Sequence, residues 1–240
     1  MNSIQRKLLY IFLPMTLVIV LLDNLFPGDA FVNYVKYATI IALFLFTLCI
    51  KKRHIEQLYM NIAIFFIVVA DFFLVFCDTI PGIGDKLVIL GVLAFLFAYI
   101  FLILAFQKNF KVGGWELLAA LLVLILFVPN YITLWPHVTG LMFYGGTLFG
   151  IVLCYMAWTC ICTLFKYHYR FGVACRIALA GCLMLISDIG VSQSFFNPAF
   201  QHRFNPGLAS LIWATYVPAW TLIATIIAEN NLLANHLFPN

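Results

Sequence analysis

Eight runs of about twenty mostly apolar residues, separated by short breaks, dominate this chain. They lie at about 8–26, 31–50, 58–77, 87–106, 115–134, 140–164, 173–193 and 207–229. A helix of about 20 residues is long enough to cross the hydrocarbon core of a bilayer. Hydrophobic residues make up 65% of the 240, charged residues only 9%, and 25 are Phe. A soluble domain of this size cannot hide so much apolar surface, so the solvent for most of the chain is lipid. In lipid each spanning segment must satisfy its own backbone polar groups. The predicted fold is therefore all-α: one integral membrane domain, residues 1–240, built as a bundle of eight transmembrane helices. Short connections make successive helices antiparallel neighbours. Turn chemistry falls between the runs, at Pro27-Gly28, Pro81-Gly82-Ile83-Gly84, Gly113-Gly114, Trp135-Pro136 and Asn205-Pro206-Gly207. Gly82 and Gly84 follow no strand, so they read as a turn and not as a phosphate loop.

Basic residues set the expected orientation. Arg6, Lys7, Lys51, Lys52, Arg53, Lys108, Lys111, Lys166, Arg170 and Arg176 fall on the N-terminal side, against Lys36, Lys86 and Arg203 on the other. The side rich in Lys and Arg faces the cytoplasm, which places both termini there. The first run follows Arg6 and Lys7 but contains Pro14 and lacks a cleavage site before Asp23, so it reads as a retained helix. The net charge of +4 serves orientation, and no basic stripe offers a surface to nucleic acid.

Polar residues inside the runs carry the functional information. Asp71 and Asp188 each interrupt a long apolar run, Val68-Val69-Ala70-Asp71-Phe72 and Leu185-Ile186-Ser187-Asp188-Ile189. A carboxylate there costs about 2.5–3.5 kcal/mol on insertion scales and calls for a partner, a proton or a task. Both lie near the outer ends of spans that run outward, Asp71 roughly 9 Å from the boundary at 1.5 Å per residue. Lys36 lies at the same level near the start of span 2. Spans 2, 3 and 7 are thus expected to meet around one polar cavity, with a hydrocarbon chain in a groove lined by Phe from spans 3 and 4. Lys36 has two readings, snorkelling to the boundary or neutralising an acid or a phosphate. Tyr99, Tyr216, Ser187 and Ser192 are candidate donors to a head group or water, or satisfy neighbouring backbone. Asn61 reads as a packing residue, and Asp23, Asp78 and Asp85 as solvated charges at or beyond the boundary. His54, His137, His168, His202 and His236 all lie outside the runs, and the seven Cys match no thiolate spacing, so no metal site and no cofactor is expected. Serine hydrolase signatures are absent.

Taken in order, Lys36, Ala70-Asp71, Gly91 with Phe95 and Tyr99, Ser187-Asp188 and Tyr216-Val217-Pro218-Ala219-Trp220 form a set spread over about residues 36–225. This set resembles the YhhN family of eight-span membrane proteins, whose characterised members are lysoplasmalogenases. The family pattern has Lys early in span 2 and Gly-Asp late in span 3. It continues with Gly-x-x-x-Phe-x-x-x-His in span 4, Ser-Asp in span 7 and Tyr-x-x-Ala-Gln in span 8. Here Ala70 replaces the Gly, Tyr99 the His and Trp220 the Gln, while both acids remain. The resemblance implies hydrolysis of the vinyl ether of a lysophospholipid, giving a fatty aldehyde and a glycerophospho-base, in a bacterial plasma membrane. Such a bond breaks by protonation of the alkenyl carbon and addition of water, which suits one protonated and one ionised acid held close. Asp71 and Asp188 would fill those roles, with Lys36, Tyr99, Ser187 and Tyr216 at the substrate.

Two other readings use the same residues. A proton-coupled carrier would use the acids as a relay, although no inverted repeat or pair of broken spans is visible. A family member without catalysis would fit the changes at Tyr99 and Trp220. Topology is open to direct measurement: reporter fusions at residues 54 and 240 are expected to report cytoplasm and one at residue 83 the outside, and opposite readings at 54 and 240 would overturn an even number of spans.

Overall fold

The computed structural model describes residues 1–80, 82–108, 112–201 and 205–234. Pro81, Lys111, His202, Arg203 and His236 lie outside the described residues. The helices are α1 (Ser3–Leu25), α2 (Ala30–Leu48), α3 (Ile55–Asp71), α4 (Gly84–Phe106), α5 (Gly114–Leu134), α6 (Gly140–Cys162), α7 (Phe171–Phe196), the short α8 (Pro198–Gln201) and α9 (Pro206–Ile227). The helix α3 runs on through a π-helical turn, Phe72–Phe76, and a 3-10 turn, Cys77–Thr79. Eight helical segments are long and apolar enough to cross a membrane, in the places the apolar runs predict. Neither the π turn nor α8 is visible in the apolar pattern, because both depend on local hydrogen bonding and not on hydropathy.

Helix ends follow from side-chain chemistry. Asn2 and Gln5 form a capping box at α1, each side chain accepting from the other's backbone N–H at 2.8 Å. Asp29 accepts from Phe31 N–H to start α2, and Asn205 accepts from Leu208 N–H to start α9, with Pro206 in the first turn where its missing N–H costs nothing. Pro14, Pro129 and Pro218 lie inside helices, as membrane helices tolerate when neighbours satisfy the freed carbonyls.

The helix α9 forms the core of the bundle. Its most apolar stretch is 67% buried, against 22% for α5, and it packs on α1, α2, α3 and α7, whereas α5 packs mainly on α6. Small residues bring the backbones close where packing alone must hold helices together. A Cβ on Gly181 of α7 would lie 2.5 Å from the Cys160 Cβ of α6, and one on Gly190 would lie 2.8 Å from the Ile212 side chain of α9.

The last carbonyls of α9 have no partner within the helix and take donors from elsewhere. Asn2 Nδ2 donates to Ala228 O at 2.6 Å, Gln5 Nε2 to Thr225 O at 3.0 Å, and Gln57 Nε2 to Ile227 O at 3.0 Å and Glu229 O at 2.7 Å. Arg176 and Gln5 also hold the Glu229 carboxylate, at 2.6 and 2.8 Å. Burial pushes that carboxyl up, but these hydrogen bonds win and hold it below the usual range. The segment after α9 is pinned to the α6–α7 loop by Arg170 N–H to Leu232 O at 3.2 Å and Ala234 N–H to His168 O at 3.0 Å. Helices α1, α3, α7 and α9 thereby share one polar clasp at the end where the N-terminus begins. The close packing of α6 on α7 is checked by Gly181→Ala: overpacking costs about 1–3 kcal/mol, so thermal unfolding in detergent is expected at lower temperature. Gly172→Ala, whose Cβ would meet nothing within 4 Å, is the matched control and is expected to unfold with the wild type.

Candidate active site

Asp71 closes the regular part of α3 and is 2% exposed; Asp188 lies two turns from the end of α7 and is 7% exposed. Each carboxylate receives a phenol. Tyr216 of α9 donates to Asp71 Oδ2 at 2.8 Å, and Tyr99 of α4 donates to Asp188 Oδ2 at 2.5 Å. Phe95, one turn before Tyr99, lies 6.1 Å from both phenol rings. Among the described residues neither carboxylate has a cation within ion-pair distance. Two buried acids with only neutral donors are an expensive arrangement, and the expense is concentrated at one place.

Both acids line a cavity of about 440 Å³. Its walls come from α3 and the π turn, α4, α6, α7 and α9, and they are mostly aliphatic and aromatic side chains such as Leu74, Leu93, Phe149, Phe196 and Trp213. The size and the few polar groups fit a ligand site. Π-helical turns recur at functional sites, and the one here follows Asp71 directly. Within it Phe72 and Phe76 stack at 5.5 Å and meet Tyr37 of α2 at 6.1 and 5.5 Å, while Leu74 faces the cavity. Among the described residues no three His, Cys, Asp or Glu side chains are grouped to hold a metal ion.

The structure corrects the expected meeting of spans 2, 3 and 7. The helix α2 contributes nothing to the cavity wall, and the Phe side chains that do are Phe95 of α4 and Phe149, Phe195 and Phe196 of α6 and α7, not those of span 3. Lys36 stands outside the cavity, where its ammonium donates to Asp23 Oδ1 at 2.7 Å. Asp23, read as a solvated charge, is 3% exposed near the end of α1. The reason is electrostatic and local: a buried ammonium takes the nearest carboxylate with good geometry, and the tight α1–α2 turn supplies Asp23. The link from Lys36 to the cavity is Trp213, whose ring centroid is 4.8 Å from the ammonium and whose side chain lines the cavity.

Of the other candidates, Tyr216 lines the cavity and Tyr99 stands behind Asp188 without lining it. Ser187 is fully buried and aims at Ile212 O of α9 at 3.4 Å, away from the acids. Trp220, where the family pattern has Gln, is fully buried in the core, and its Nε1 has no partner among the described residues. Asn61 is buried on α3 with its Oδ1 in the same condition. The sequence reading missed Asp23 and Trp213; the pattern of one acid just before a turn and one lysine just after it was the available signal for the first, and nothing local marked the second.

The chain is thus a polytopic α-helical membrane protein with two buried carboxylates on one largely apolar cavity. It belongs to the YhhN family, whose pattern it matches over residues 32–227, most of its length and all the elements of the site. No curated protein and no solved structure gives a significant match.

The Lys36–Asp23 pair makes a sharp prediction. Removing one partner of a buried ion pair costs about 3–5 kcal/mol, whereas replacing both by apolar groups is often neutral. Lys36→Met is expected to lower the thermal midpoint strongly, and Lys36→Met combined with Asp23→Leu to restore most of it. Equal loss in the single and double variants would show that the pair does not stabilise the fold.

Proposed function

We propose that this protein is a membrane-embedded hydrolase that cleaves the vinyl ether bond of lysoplasmalogen-type lysophospholipids. The observation that carries the reading is the pair Asp71 and Asp188: two buried acids without a cation, facing one apolar cavity, each held by a phenol. Membership of the YhhN family supports it, since vinyl-ether hydrolysis is the activity that the family resemblance implies.

The chemistry needs a proton at the alkenyl carbon and water at the carbon bearing oxygen. One acid, protonated, gives its proton to the alkenyl carbon, and the oxocarbenium ion that forms is stabilised by the neighbouring carboxylate. Water adds to the carbon bearing the ether oxygen as the second acid takes its proton. The hemiacetal then collapses to a fatty aldehyde and the free glycerol hydroxyl, and the proton count returns to its start. Tyr99 and Tyr216 act as positioning residues, because each fixes one carboxylate oxygen and leaves the other to the reaction. The apolar wall holds the hydrocarbon chain and excludes bulk water from the cation.

Release of aldehyde from a vinyl-ether lysophospholipid by purified protein tests the reading. Asp71→Asn and Asp188→Asn are each expected to lower turnover by about 10²–10⁴, the range for a positioned acid or base. The double variant is expected to lose little more, because groups acting as a unit are not additive. Folded yield should hold, since a neutral amide is cheaper than a carboxylate in the membrane. Undiminished turnover in both single variants, or none in the wild type, would overturn the assignment.

A further inference from the structure

Beside the large cavity lies a second, smaller one of about 90 Å³ between α5, α6 and α7. The two share a wall made of Gly146, Phe149, Asp188, Ser192 and Phe196, so Asp188 stands at the boundary of both. The chambers differ in what they can hold. The larger is within the range of sites for whole ligands. The smaller has about a fifth of the larger's volume, which suits a glycerol-sized polar group better than a long hydrocarbon chain.

The polar groups of the smaller chamber are not all spent on one another. Asn130 of α5 accepts from Gln193 Nε2 at 2.7 Å on its Oδ1, which fixes the amide, and donates one N–H to Ser192 Oγ at 3.1 Å. Ser192 in turn sends its own proton to Ile189 O at 2.8 Å. An Asn amide carries two N–H donors, and among the described residues the second one of Asn130 has no acceptor. Thr147 donates to Phe143 O at 2.7 Å, so its 3.0 Å contact with Tyr131 requires the phenol to be the donor there, leaving the Tyr131 oxygen able to accept. The smaller chamber therefore keeps a donor and an acceptor for a hydroxyl-bearing ligand. Access is at α6, where Gly145 and Gly146 are exposed, line the larger chamber, and would meet nothing within 4 Å if either carried a Cβ.

We propose that the two chambers form one bent substrate site, with the hydrocarbon chain in the larger, the glycerol in the smaller against Asn130 and Tyr131, and Gly146 as the opening that joins them. This rests on the lysophospholipid reading above and adds its orientation: the bond between chain and glycerol crosses the junction beside Asp188. Gly146 and Asn130 are specificity-determining residues in this arrangement, since the first keeps the passage clear and the second recognises the glycerol side.

The test uses two ligands that the protein cannot hydrolyse, a saturated 1-O-hexadecyl lysophosphocholine and hexadecanol, with Kd measured on purified protein in detergent. The alcohol needs only the larger chamber; the ether lysolipid needs both. Gly146→Leu is expected to weaken the ether lysolipid about tenfold or more, a change equivalent to about 1.4 kcal/mol, while hexadecanol stays within about twofold. Asn130→Leu, on a different helix, is expected to show the same selective loss with a smaller amplitude, and gives a second route if Gly146→Leu folds poorly. Equal weakening of both ligands, or of neither, in whichever variant folds would overturn the bent site. Because neither ligand is cleaved, a selective loss of binding stands even if the aspartate variants show that vinyl-ether hydrolysis is wrong. Conversely, hydrolysis that survives with no selective loss would remove the bent site alone.

Discussion

Taking a carboxylate out of water without a cation to meet it is the constraint on which this structure turns. Among the described residues Asp71 and Asp188 have no cation to pair with and face a cavity instead. The one deeply buried cation among the described residues, Lys36, is committed to Asp23. What the two acids have instead is a phenol each, from α4 and α9. A neutral donor eases the desolvation of an acid without cancelling its charge.

The rest of the bundle serves that arrangement. Tyr216 and Trp213 are one turn apart on α9, so the helix that supplies a phenol to Asp71 also supplies the ring between the cavity and Lys36. Its position is fixed at the other end by Asn2, Gln5 and Gln57, which cap its carbonyls from α1 and α3. Close contacts at Gly181 and Gly190 hold α7 against α6 and α9, and with it Asp188. A site made of four helices keeps its geometry only if those helices cannot slide, and hydrogen-bonded ends with small-residue contacts are how a bundle without a hydrophobic driving force achieves this.

The buried Lys36–Asp23 pair has a different character. It joins α1 to α2 beside Trp213, while Asp23 Oδ2 has no partner among the described residues. An ion pair placed one aromatic ring away from two unpaired acids removes the cation from the site without moving it far.

Much of this was legible in the chain itself. The eight helices follow from run length, because a segment in lipid must close its own backbone hydrogen bonds whatever its neighbours do. Asp71 and Asp188 also stand out, because the cost of a charge in an apolar run is a local property that needs no partner to be seen. Partners are another matter. Depth along the membrane placed Lys36 with the two acids, but depth is one coordinate of three, and rotation of α2 about its axis turns Lys36 toward Asp23 instead. Tyr99, Ser187 and Trp213 show the same division: their spacing gives a helix and a level, while only packing shows that Tyr99 reaches Asp188, that Ser187 faces backbone, and that Trp213 lines the cavity. Sequence determined the helices and the acids that cost most to hold in lipid. Tertiary structure decided which of them meet, because helix rotation and the crossing of α4, α7 and α9 depend on side chains far apart in the chain.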